Sequence, residues 1–390
     1  MNSSKLNRAH YIRRTTELRR LVDQIKDQPL LAVDTESNSL FAYYEQVCLV
    51  QLSTRTHDYI VDPLAVDDMS PLGVLLADPA IEIVFHAAEY DVITLKRDFG
   101  YTFANIFDTM QAARICGWQR TGLGNILDEQ FGVRAQKKYQ RANWAKRPLP
   151  PEQLLYAQMD THYLPALRDR LLDELTRLDR LEEAREMFVL LNDLRPAAHN
   201  FDPEGYWRIN AARDLNRRQM AVVRELYLLR DSIAQRRDWP PFKIFGDKTL
   251  IELVRLAPRR QDDLYNIKGL NSRLARQEGR RLLEAIERGQ DAAPPTPPRR
   301  SPPPDPMVHL RYEALHEWRK QRAEARGVES DIICSRDTLW ALARRAPTSA
   351  ADLDTIPGLG PWRREQYGAE MLDVLSRIDG QSPDERGENS

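Results

Sequence analysis

The stretch Leu30-Leu31-Ala32-Val33-Asp34-Thr35-Glu36 joins a short apolar run to two carboxylates. Such a run, bounded by polar residues, predicts a buried strand. Successive side chains of a strand point to opposite faces, so Asp34 and Glu36 lie side by side on one face, where the apolar residues end. Two convergent carboxylates suggest a cation, although acidic pairs at strand ends are more often merely solvated. A metal site therefore requires further carboxylates that reach the same place.

The residues around this stretch predict a mixed α/β domain. Strand-like composition recurs at short intervals, over residues 30–33, 47–52, 59–61 and 81–85. The apolar period then lengthens, which predicts helices over residues 89–99, 109–116, 123–131 and 152–175. Because the strands come first and the helices follow, we expect a mixed sheet flanked by helices rather than a strictly alternating doubly wound sheet.

The composition is that of a folded protein with two or three domains, since 42% of the 390 residues are hydrophobic and 29% are charged. Cys48, Cys116 and Cys334 are widely separated, which argues against a disulfide framework or a thiolate zinc site and favours a reducing compartment. No apolar run approaches the roughly 20 residues of a membrane span, and the N-terminus lacks the apolar core of a secretory signal. We therefore expect a cytoplasmic protein that does not bind membranes. We also expect the Arg-rich residues 1–20 to be helical.

Two helical parts of the chain form an internal repeat with a constant offset of 89 residues. Arg230 matches Arg319, Gly269 matches Gly358, and the register between these positions holds without a gap. A composition break near residues 195–203 and a run of prolines from Pro294 separate the parts. These features predict a first domain over 1–200, helical domains over 205–291 and 306–380, an extended linker over 292–305 and a disordered tail over 381–390.

The two copies of the repeat differ in charge. Residues 201–290 contain 19 Lys and Arg against 13 Asp and Glu, whereas residues 301–390 carry a net charge of −4. Both copies have a glycine-containing loop, at 267–271 and 356–360, that resembles the loop of a helix-hairpin-helix motif and would let backbone N–H groups approach a phosphate. The alternative is an ordinary turn that ends a helix. We expect the first copy to be the better RNA binder and the second mainly to pack or to set reach.

Three more side chains suit a cation or its chemistry. Asp91 falls in the first turn of a predicted helix directly after a strand, and Tyr156 lies four residues before Asp160, hence on the same helical face. Divalent ions of the magnesium type prefer oxygen ligands, so a site that cleaves phosphodiesters needs three or four carboxylates from different elements. Each residue alone has an ordinary structural explanation, but the order Asp-x-Glu, Asp, Tyr-x-x-x-Asp within one α/β region indicates a common site.

This ordered set resembles the Exo I, II and III motifs of the DEDD exonucleases, in the variant whose third motif carries tyrosine. Residues 43–52 and the stretch from Trp144 to Asp160 resemble the ribonuclease D family in particular, and the two helical copies resemble HRDC domains. The resemblance implies a ribonuclease H-like fold followed by two small all-α domains. It covers nearly the whole chain except the proline linker and the tail, and the long linker leaves the placement of the second copy open.

The resemblance also implies roles for the residues of the motifs. Asp34, Glu36, Asp91 and Asp160 would hold two divalent metal ions, Mg²⁺ or Mn²⁺, with Asp34 as the bridge between them. Two such ions activate a water on one side of the phosphate and neutralise the leaving 3′-oxygen on the other. Tyr156 would orient the water by hydrogen bonding, since a phenol with a pKa of about 10 is a poor base at neutral pH.

His86 offers a different assignment, because it precedes Asp91 by five residues, the spacing at which the histidine variant of this superfamily carries its base. That assignment would require another acid between His86 and Glu36, and it would leave Tyr156 and Asp160 without a role. We therefore expect His86 to be a structural residue at the end of a strand.

Basic and aromatic residues alternate just before the third motif, and they include Lys138, Trp144 and Arg147. A loop of this kind can hold phosphates and stack a base. It can equally be a surface loop with a tucked tryptophan, and the sequence does not decide between the two.

Together these features predict a monomeric 3′–5′ exoribonuclease that trims structured RNA 3′ ends and releases nucleoside 5′-monophosphates. The resemblance implies tRNA precursors as the substrate class. Two alternatives stay open at this point, namely a DNA-directed exonuclease and a non-catalytic RNA-binding scaffold that retains the fold.

Overall fold

The computed structural model describes residues 6–134, 137–197, 200–298 and 305–380. The predicted tail over 381–390 and the linker residues 299–304 lie outside the described residues. In the described part the strands are β1 (His10–Ile12), β2 (Leu30–Ser37), β3 (Val47–Ser53), β4 (Asp58–Val61), β5 (Glu82–Phe85) and β6 (Ile106–Asp108). The helices of the first domain are α1 (Thr15–Ile25), α2 (Ser70–Leu76), α3 (Glu89–Phe99), α4 (Thr109–Cys116), α5 (Leu123–Phe131), α6 (Pro151–His162), α7 (Leu164–Arg177) and α8 (Leu181–Asn192).

The six strands form one mixed sheet in the order β1-β4-β3-β2-β5-β6, which confirms the predicted fold class. β3 runs antiparallel to both β2 and β4, and the other neighbours are parallel. Helices cover both faces, and β2 shows the alternation directly. Leu31 and Val33 pack in the core beneath α1, α2 and α3, whereas Leu30 and Ala32 pack in the core beneath α4, α5, α7 and α8.

The helix bounds of α3, α4 and α5 agree with the prediction from the sequence, but three expectations were wrong. The helix expected over 152–175 is two helices, because Pro165, in the first turn of α7, has no N–H to continue the ladder of α6. The edge strands β1 and β6 were missed because three residues are too few for a periodic signal. The N-terminal segment, expected to be helical, contains β1 before α1 begins.

The repeat of 89 residues holds at every helix. The first copy consists of α9 (Arg217–Arg237), α10 (Pro241–Ile244), α11 (Asp247–Leu256) and α12 (Ser272–Asp291). The second consists of α13 (Pro306–Arg326), α14 (Ser330–Ile333), α15 (Arg336–Arg345), α16 (Ala350–Leu353) and α17 (Pro361–Gly380), with a 3₁₀ helix of the first copy in the place of α16. We call these copies the first and second helical modules. Buried contacts repeat too, since Arg230 donates to the carbonyl of Phe245 and Arg319 donates to that of Cys334.

The first helical module holds the loop between β2 and β3, residues 38–46. One carboxylate oxygen of Asp238 accepts the backbone N–H groups of Tyr43 and Tyr44, at 2.9 and 3.0 Å. The Tyr43 ring is buried in the core of the module, and its hydroxyl donates to Asp231 at 2.8 Å. The loop that follows Glu36 is therefore fixed from outside the first domain.

The second helical module packs against α8 on the other side of the first domain. Glu183 of α8 is fully buried and accepts hydrogen bonds from both terminal nitrogens of Arg326. Glu186 of the same helix accepts from the Arg363 guanidinium at 2.6 Å and from the backbone N–H of Trp362. Apolar contact continues this interface, since Ile332 is buried in a core cluster of the first domain. Within the described ranges, no helix has the length and apolarity to cross a membrane.

Candidate active site

Asp34 and Glu36 lie inside β2 rather than at its end. The apolar run stops at Val33, but the strand continues to Ser37, with Asp34 opposite Gln51 and Glu36 opposite Leu49 on β3. The alternation of the strand gives Asp34 and Glu36 the same face as Leu30 and Ala32. The pairing with β3 thus presents two carboxylates from a rigid central strand.

Helix α6 brings the third motif to this face. Proline at its first position fixes the start, and Tyr156 and Asp160 follow one turn apart on one side of the helix. The carboxylate of Asp58 on β4 anchors the helix, since it accepts hydrogen bonds from Gln158 at 2.7 Å and lies 2.8 Å from the His162 ring nitrogen. This anchor was not predicted, because an acid in a short strand carries no distinctive sequence signal.

The structure brings Asp34, Glu36 and Asp160 together. One carboxylate oxygen from each can be chosen so that all three atoms lie within 4.8 Å of one another. All three side chains are partly exposed, so the cluster lines an open cleft rather than a sealed core. Within the described residues, this is the cluster of acidic, histidine and cysteine side chains with a spacing suited to a metal ion. A hard divalent cation fits such an all-oxygen set.

Asp91 stands next to this group but is held differently. Its Oδ1 atom accepts both the backbone N–H and the hydroxyl of Thr35, at 3.0 and 2.5 Å. Thr35 lies between the two acids of β2 and, by the alternation of the strand, points toward the opposite face, beneath α3. The middle residue of the first motif therefore fixes the acid of the second, a role that sequence reasoning missed.

Asp108 organises the start of α3, where Asp91 lies. Its carboxylate accepts the backbone N–H groups of Ala87 and Ala88 at 3.1 and 2.8 Å, and it also caps α4 through Met110 and Gln111. Ala87 has a positive φ of 64°, a conformation that costs energy outside glycine and that these contacts hold in place. An aspartate directly before a predicted helix was the available signal for this cap.

Burial and mutual repulsion raise the pKa of every acid in the site. Burial is the larger cause and the neighbouring carboxylates add to it, so the pKa of Asp34 lies well above its ordinary value and that of Glu36 rises to about 9. Burial likewise raises the pKa of Asp160 to about 8 and that of Asp91 to about 7, although hydrogen bonds from Tyr156 and Thr35 oppose the effect. These acids resist ionisation because no positive charge lies beside them. A bound cation would supply that charge and favour their ionised form, as expected for a cation site.

In chelator, we expect the melting temperature to fall as the pH rises from about 5 to about 9. The folded protein retains protons on Glu36 and Asp160 that the unfolded chain has already released, so the unfolded state gains stability relative to the folded state as the pH rises. Addition of millimolar Mg²⁺ or Mn²⁺ should raise the melting temperature most at the alkaline end. Differential scanning fluorimetry across this pH range measures both effects.

The matched control is Glu89→Gln, which removes an exposed carboxylate from the same first turn that carries Asp91. This variant should keep the wild-type slope, whereas Asp160→Asn should flatten it. A melting temperature that does not respond to the divalent ion would contradict the assignment of a cation site.

Aromatic packing holds Tyr156. The ring of Trp144 lies 6.0 Å from that of Tyr156 and the ring of Tyr139 lies 5.9 Å away, between ring centroids. Trp144 is buried, and Arg147 pairs with Asp62 at 2.6 Å while it donates to the carbonyl of Cys48. The structure therefore favours a surface loop with a tucked tryptophan, in which Trp144 and Arg147 make contacts within the protein. The Lys138 side chain is exposed.

His86 lies at the end of β5, where its Nδ1 atom contacts the hydroxyl of Thr109 at 2.9 Å. Burial lowers the pKa of His86, with Asp108 opposing the effect. The histidine thus bridges the end of β5 and the start of α4, outside the group formed by Asp34, Glu36 and Asp160. This position agrees with the expectation of a structural histidine.

Comparison with protein families places known models on both parts of the chain. A 3′-5′ exonuclease model matches residues 9–176, and the HRDC domain model matches twice, at residues 219–286 and 309–375. The chain is 33% identical over 370 residues to ribonuclease D of Acidiphilium cryptum, an alignment that covers 93% of this chain and 91% of the relative.

Solved structures agree with this result. Escherichia coli RNase D, described as an exoribonuclease involved in structured RNA processing, aligns with a TM-score of 0.65 and 25% identity over 95% of this chain and 99% of that one. The catalytic core of RRP6 from Trypanosoma brucei aligns with a TM-score of 0.69 and 29% identity over 74% of this chain and 81% of that one.

Proposed function

The chain belongs to the ribonuclease D family and is a 3′–5′ exoribonuclease, and from this premise we propose that it trims the 3′ ends of structured RNA, tRNA precursors among them. The observation that carries the proposal is the convergence of carboxylate oxygens from Asp34, Glu36 and Asp160 within 4.8 Å, between the central strand β2 and the helix α6. The products would be nucleoside 5′-monophosphates.

Family membership implies divalent metal ions, and the donor set fits them. The three clustered side chains offer only oxygen atoms, and Asp91 adds a fourth carboxylate close by, without nitrogen or sulfur ligands that would favour zinc. We propose that Asp34, Glu36, Asp91 and Asp160 hold two ions, Mg²⁺ or Mn²⁺. When bound, such ions activate a water and stabilise the charge that develops on the phosphate and on the leaving 3′-oxygen.

The protein itself supplies alignment. Asp34 and Glu36 are fixed by the pairing of β2 with β3, and Asp160 is fixed by the anchor of α6 at Asp58. Asp91 cannot rotate freely, because Thr35 holds its Oδ1 atom through two hydrogen bonds. The four acids are held on three elements, β2, α3 and α6, before substrate arrives. They therefore lose little conformational freedom during the reaction, which is the contribution that positioning makes to the rate.

Tyr156 is proposed to orient the attacking water. Burial, followed by the nearby charges of Asp160, Glu36 and Asp34, raises the pKa of the phenol far above neutrality, so the hydroxyl keeps its proton. A protonated phenol can donate and accept a hydrogen bond but cannot remove a proton. The packing of its ring against Trp144 limits its rotation and keeps the hydroxyl over the acids.

Replacing Tyr156 with phenylalanine is expected to lower kcat by about ten- to a hundredfold, the usual cost of losing one orienting hydrogen bond, while KM changes little. The aromatic packing should survive, since only the hydroxyl is removed. Steady-state kinetics on a 3′-hydroxyl RNA measure both constants. The control is Tyr163→Phe at the end of α6, and equal rates for the two variants would contradict the role of Tyr156.

A side-by-side assay tests the proposed substrate. RNA and DNA oligomers of one sequence and a tRNA precursor with a 3′ extension are incubated with wild-type protein and Mg²⁺ or Mn²⁺, and the products are identified by chromatography. Shortening of RNA from the 3′ end with release of 5′-monophosphates is the expected result. Preferential cleavage of DNA would overturn the choice of substrate, and no cleavage of either would support the scaffold alternative.

We also propose that the protein works as a monomer in the cytoplasm. All three cysteines are unpaired, which suits a reducing compartment. Multi-angle light scattering on the full chain tests the oligomeric state, for which a mass near 45.2 kDa is expected.

A further inference from the structure

The two helical modules use equivalent surfaces in different ways. In the second module, the surface that meets the nuclease domain includes Arg326, Ile332 and Trp362. The acidic residues Glu183 and Glu186 of α8 lie against it. This surface of the repeat therefore accommodates a negatively charged partner.

In the first module, 89 residues earlier, the residues equivalent to Arg326, Ile332 and Trp362 are Arg237, Lys243 and Arg273, in that order. The three residues line one groove of about 690 Å³, together with Trp239, which is 48% exposed. Ile332 is buried against the nuclease domain, whereas its counterpart Lys243 is exposed. The surface that the second module uses for docking is thus an open groove in the first.

The groove is positively charged and aromatic. Glu278 is the acidic residue of its lining, and this carboxylate is paired with Arg236, Arg237 and Arg281 at 3.3, 3.0 and 2.9 Å. Three guanidinium groups around one carboxylate leave an excess of positive charge, to which Lys243 and Arg273 add. The Arg237 guanidinium lies 6.0 Å from the Trp239 ring, so a flat, cation-supported surface faces solvent.

The groove is continuous with the loop that borders the candidate active site. Asp238, next to Trp239, accepts two backbone N–H groups of the 38–46 loop. The Lys243 ammonium lies 3.5 Å from the centroid of the Phe41 ring in the same loop. A strand whose 3′ end reaches Glu36 can therefore leave over this loop and pass onto the first module.

We propose that the groove lined by Trp239, Lys243 and Arg273 binds single-stranded RNA upstream of the 3′-terminal nucleotides. A base stacks on Trp239, and Lys243 and Arg273 contact phosphates. Arg273 is the counterpart of Trp362, whose backbone N–H donates to the Glu186 carboxylate in the second module. The inference rests on the proposed function, because it assumes that the 3′ end lies at the carboxylates. An apolar protein partner suits the groove less well, since charged side chains surround the tryptophan.

Binding of the full chain to RNA in chelator tests this proposal without cleavage. Fluorescence anisotropy is measured for a trinucleotide and for a single-stranded RNA of about 20 nucleotides, long enough to fill several binding positions. Wild-type protein should bind the longer RNA far more tightly. In Trp239→Ala this gain from length should shrink about tenfold. In Lys243→Ala the slope of log Kd against log salt should fall by about 0.7, the value for one lost contact to a single strand.

The matched control is Leu256→Ala, which removes an exposed apolar side chain of the same module outside the groove. If Trp239→Ala gained as much affinity from the longer RNA as wild-type protein and the control do, the proposal would be overturned. That result is expected if the groove binds a protein instead of RNA. Failure of the proposed function gives a different result, since wild-type protein would then not shorten either RNA when the divalent ion is added, whatever the binding data.

Discussion

Asparagine in place of Asp34 is expected to lower the rate of RNA shortening at least about a thousandfold. Loss of a residue that only hydrogen-bonds to a metal ligand costs about ten- to a hundredfold, and loss of a proposed metal ligand such as Asp34 should cost more. The amide keeps the shape of the side chain but removes its charge from the group of three carboxylates. Folding should not suffer, since the carboxylate raises the energy of the ion-free protein through burial and through repulsion by Asp91 and Asp160. Activity and stability should therefore change in opposite directions.

Single-turnover assays with a 3′-hydroxyl RNA and melting curves in chelator measure the two effects on one preparation. Asp34→Asn should be inactive and melt at a higher temperature than wild type, and Asp160→Asn should behave in the same way. Glu89→Gln, an exposed acid at the start of α3, should change neither quantity. Wild-type activity of Asp34→Asn, or activity of any variant in chelator, would overturn the assignment of the site.

The first domain and the repeat could be predicted from the sequence because their signals are local. Strand β2 has an apolar run with a polar end, and the helices α3 to α5 have clear periods and terminal glycines. The offset of 89 residues also relates the helices of the structure, because both copies contain the same buried contacts, such as those of Arg230 and Arg319. Strands of three residues at the sheet edges lack such signals, since their position depends on partners distant in the chain.

The acids of the site could be predicted, but the contacts that hold them could not. Spacing within one strand pairs Asp34 with Glu36, and spacing within one helix pairs Tyr156 with Asp160. Their union in one site rested on the order of the motifs and on its resemblance to the DEDD exonucleases. Thr35 donates hydrogen bonds to Asp91, which lies 56 positions later in the chain. Backbone N–H groups at the start of α3 donate to Asp108, which lies 20 or 21 positions later. Nothing in the local sequence pattern indicates these contacts. The sequence left open whether Trp144 stacks on a base or is tucked into the protein, because its burial depends on the packing of α6 against β3.

The placement of the second helical module lay beyond sequence reasoning for the same reason. Glu182 and Glu183 are neighbours in α8 and read alike as parts of a charged helix surface. In the structure Glu182 forms an exposed pair with Arg185, whereas Glu183 is fully buried beneath Arg326 and Arg363. A glutamate buried in the docking interface is therefore indistinguishable, in sequence, from an exposed neighbour.

Replacing Glu183 with glutamine is expected to weaken docking of the second module by about 3–5 kcal/mol, the usual cost of removing one partner from a buried ion pair. The Arg326 guanidinium, which is 18% exposed, would lose its bidentate partner at the fully buried Glu183. Arg363, 3.8 Å from Glu183, would lose part of its countercharge. Small-angle scattering should then show a larger radius of gyration, and a protease should cut the Pro-rich linker faster.

Glu182→Gln is the control, since an exposed pair contributes about 0–1 kcal/mol and the substitution is chemically identical one residue away. A double-mutant cycle with Arg326→Gln separates the pair from the general effect of burial. Arg326→Gln should destabilise docking less in the Glu183→Gln background than in wild-type protein, because it removes the Arg326 charge that Glu183→Gln leaves unpaired. If Glu183→Gln were as mild as Glu182→Gln in scattering, proteolysis and urea unfolding, the buried pair would not hold the module. The contacts of Glu186 and Arg114 and the apolar contact around Ile332 would then have to do so.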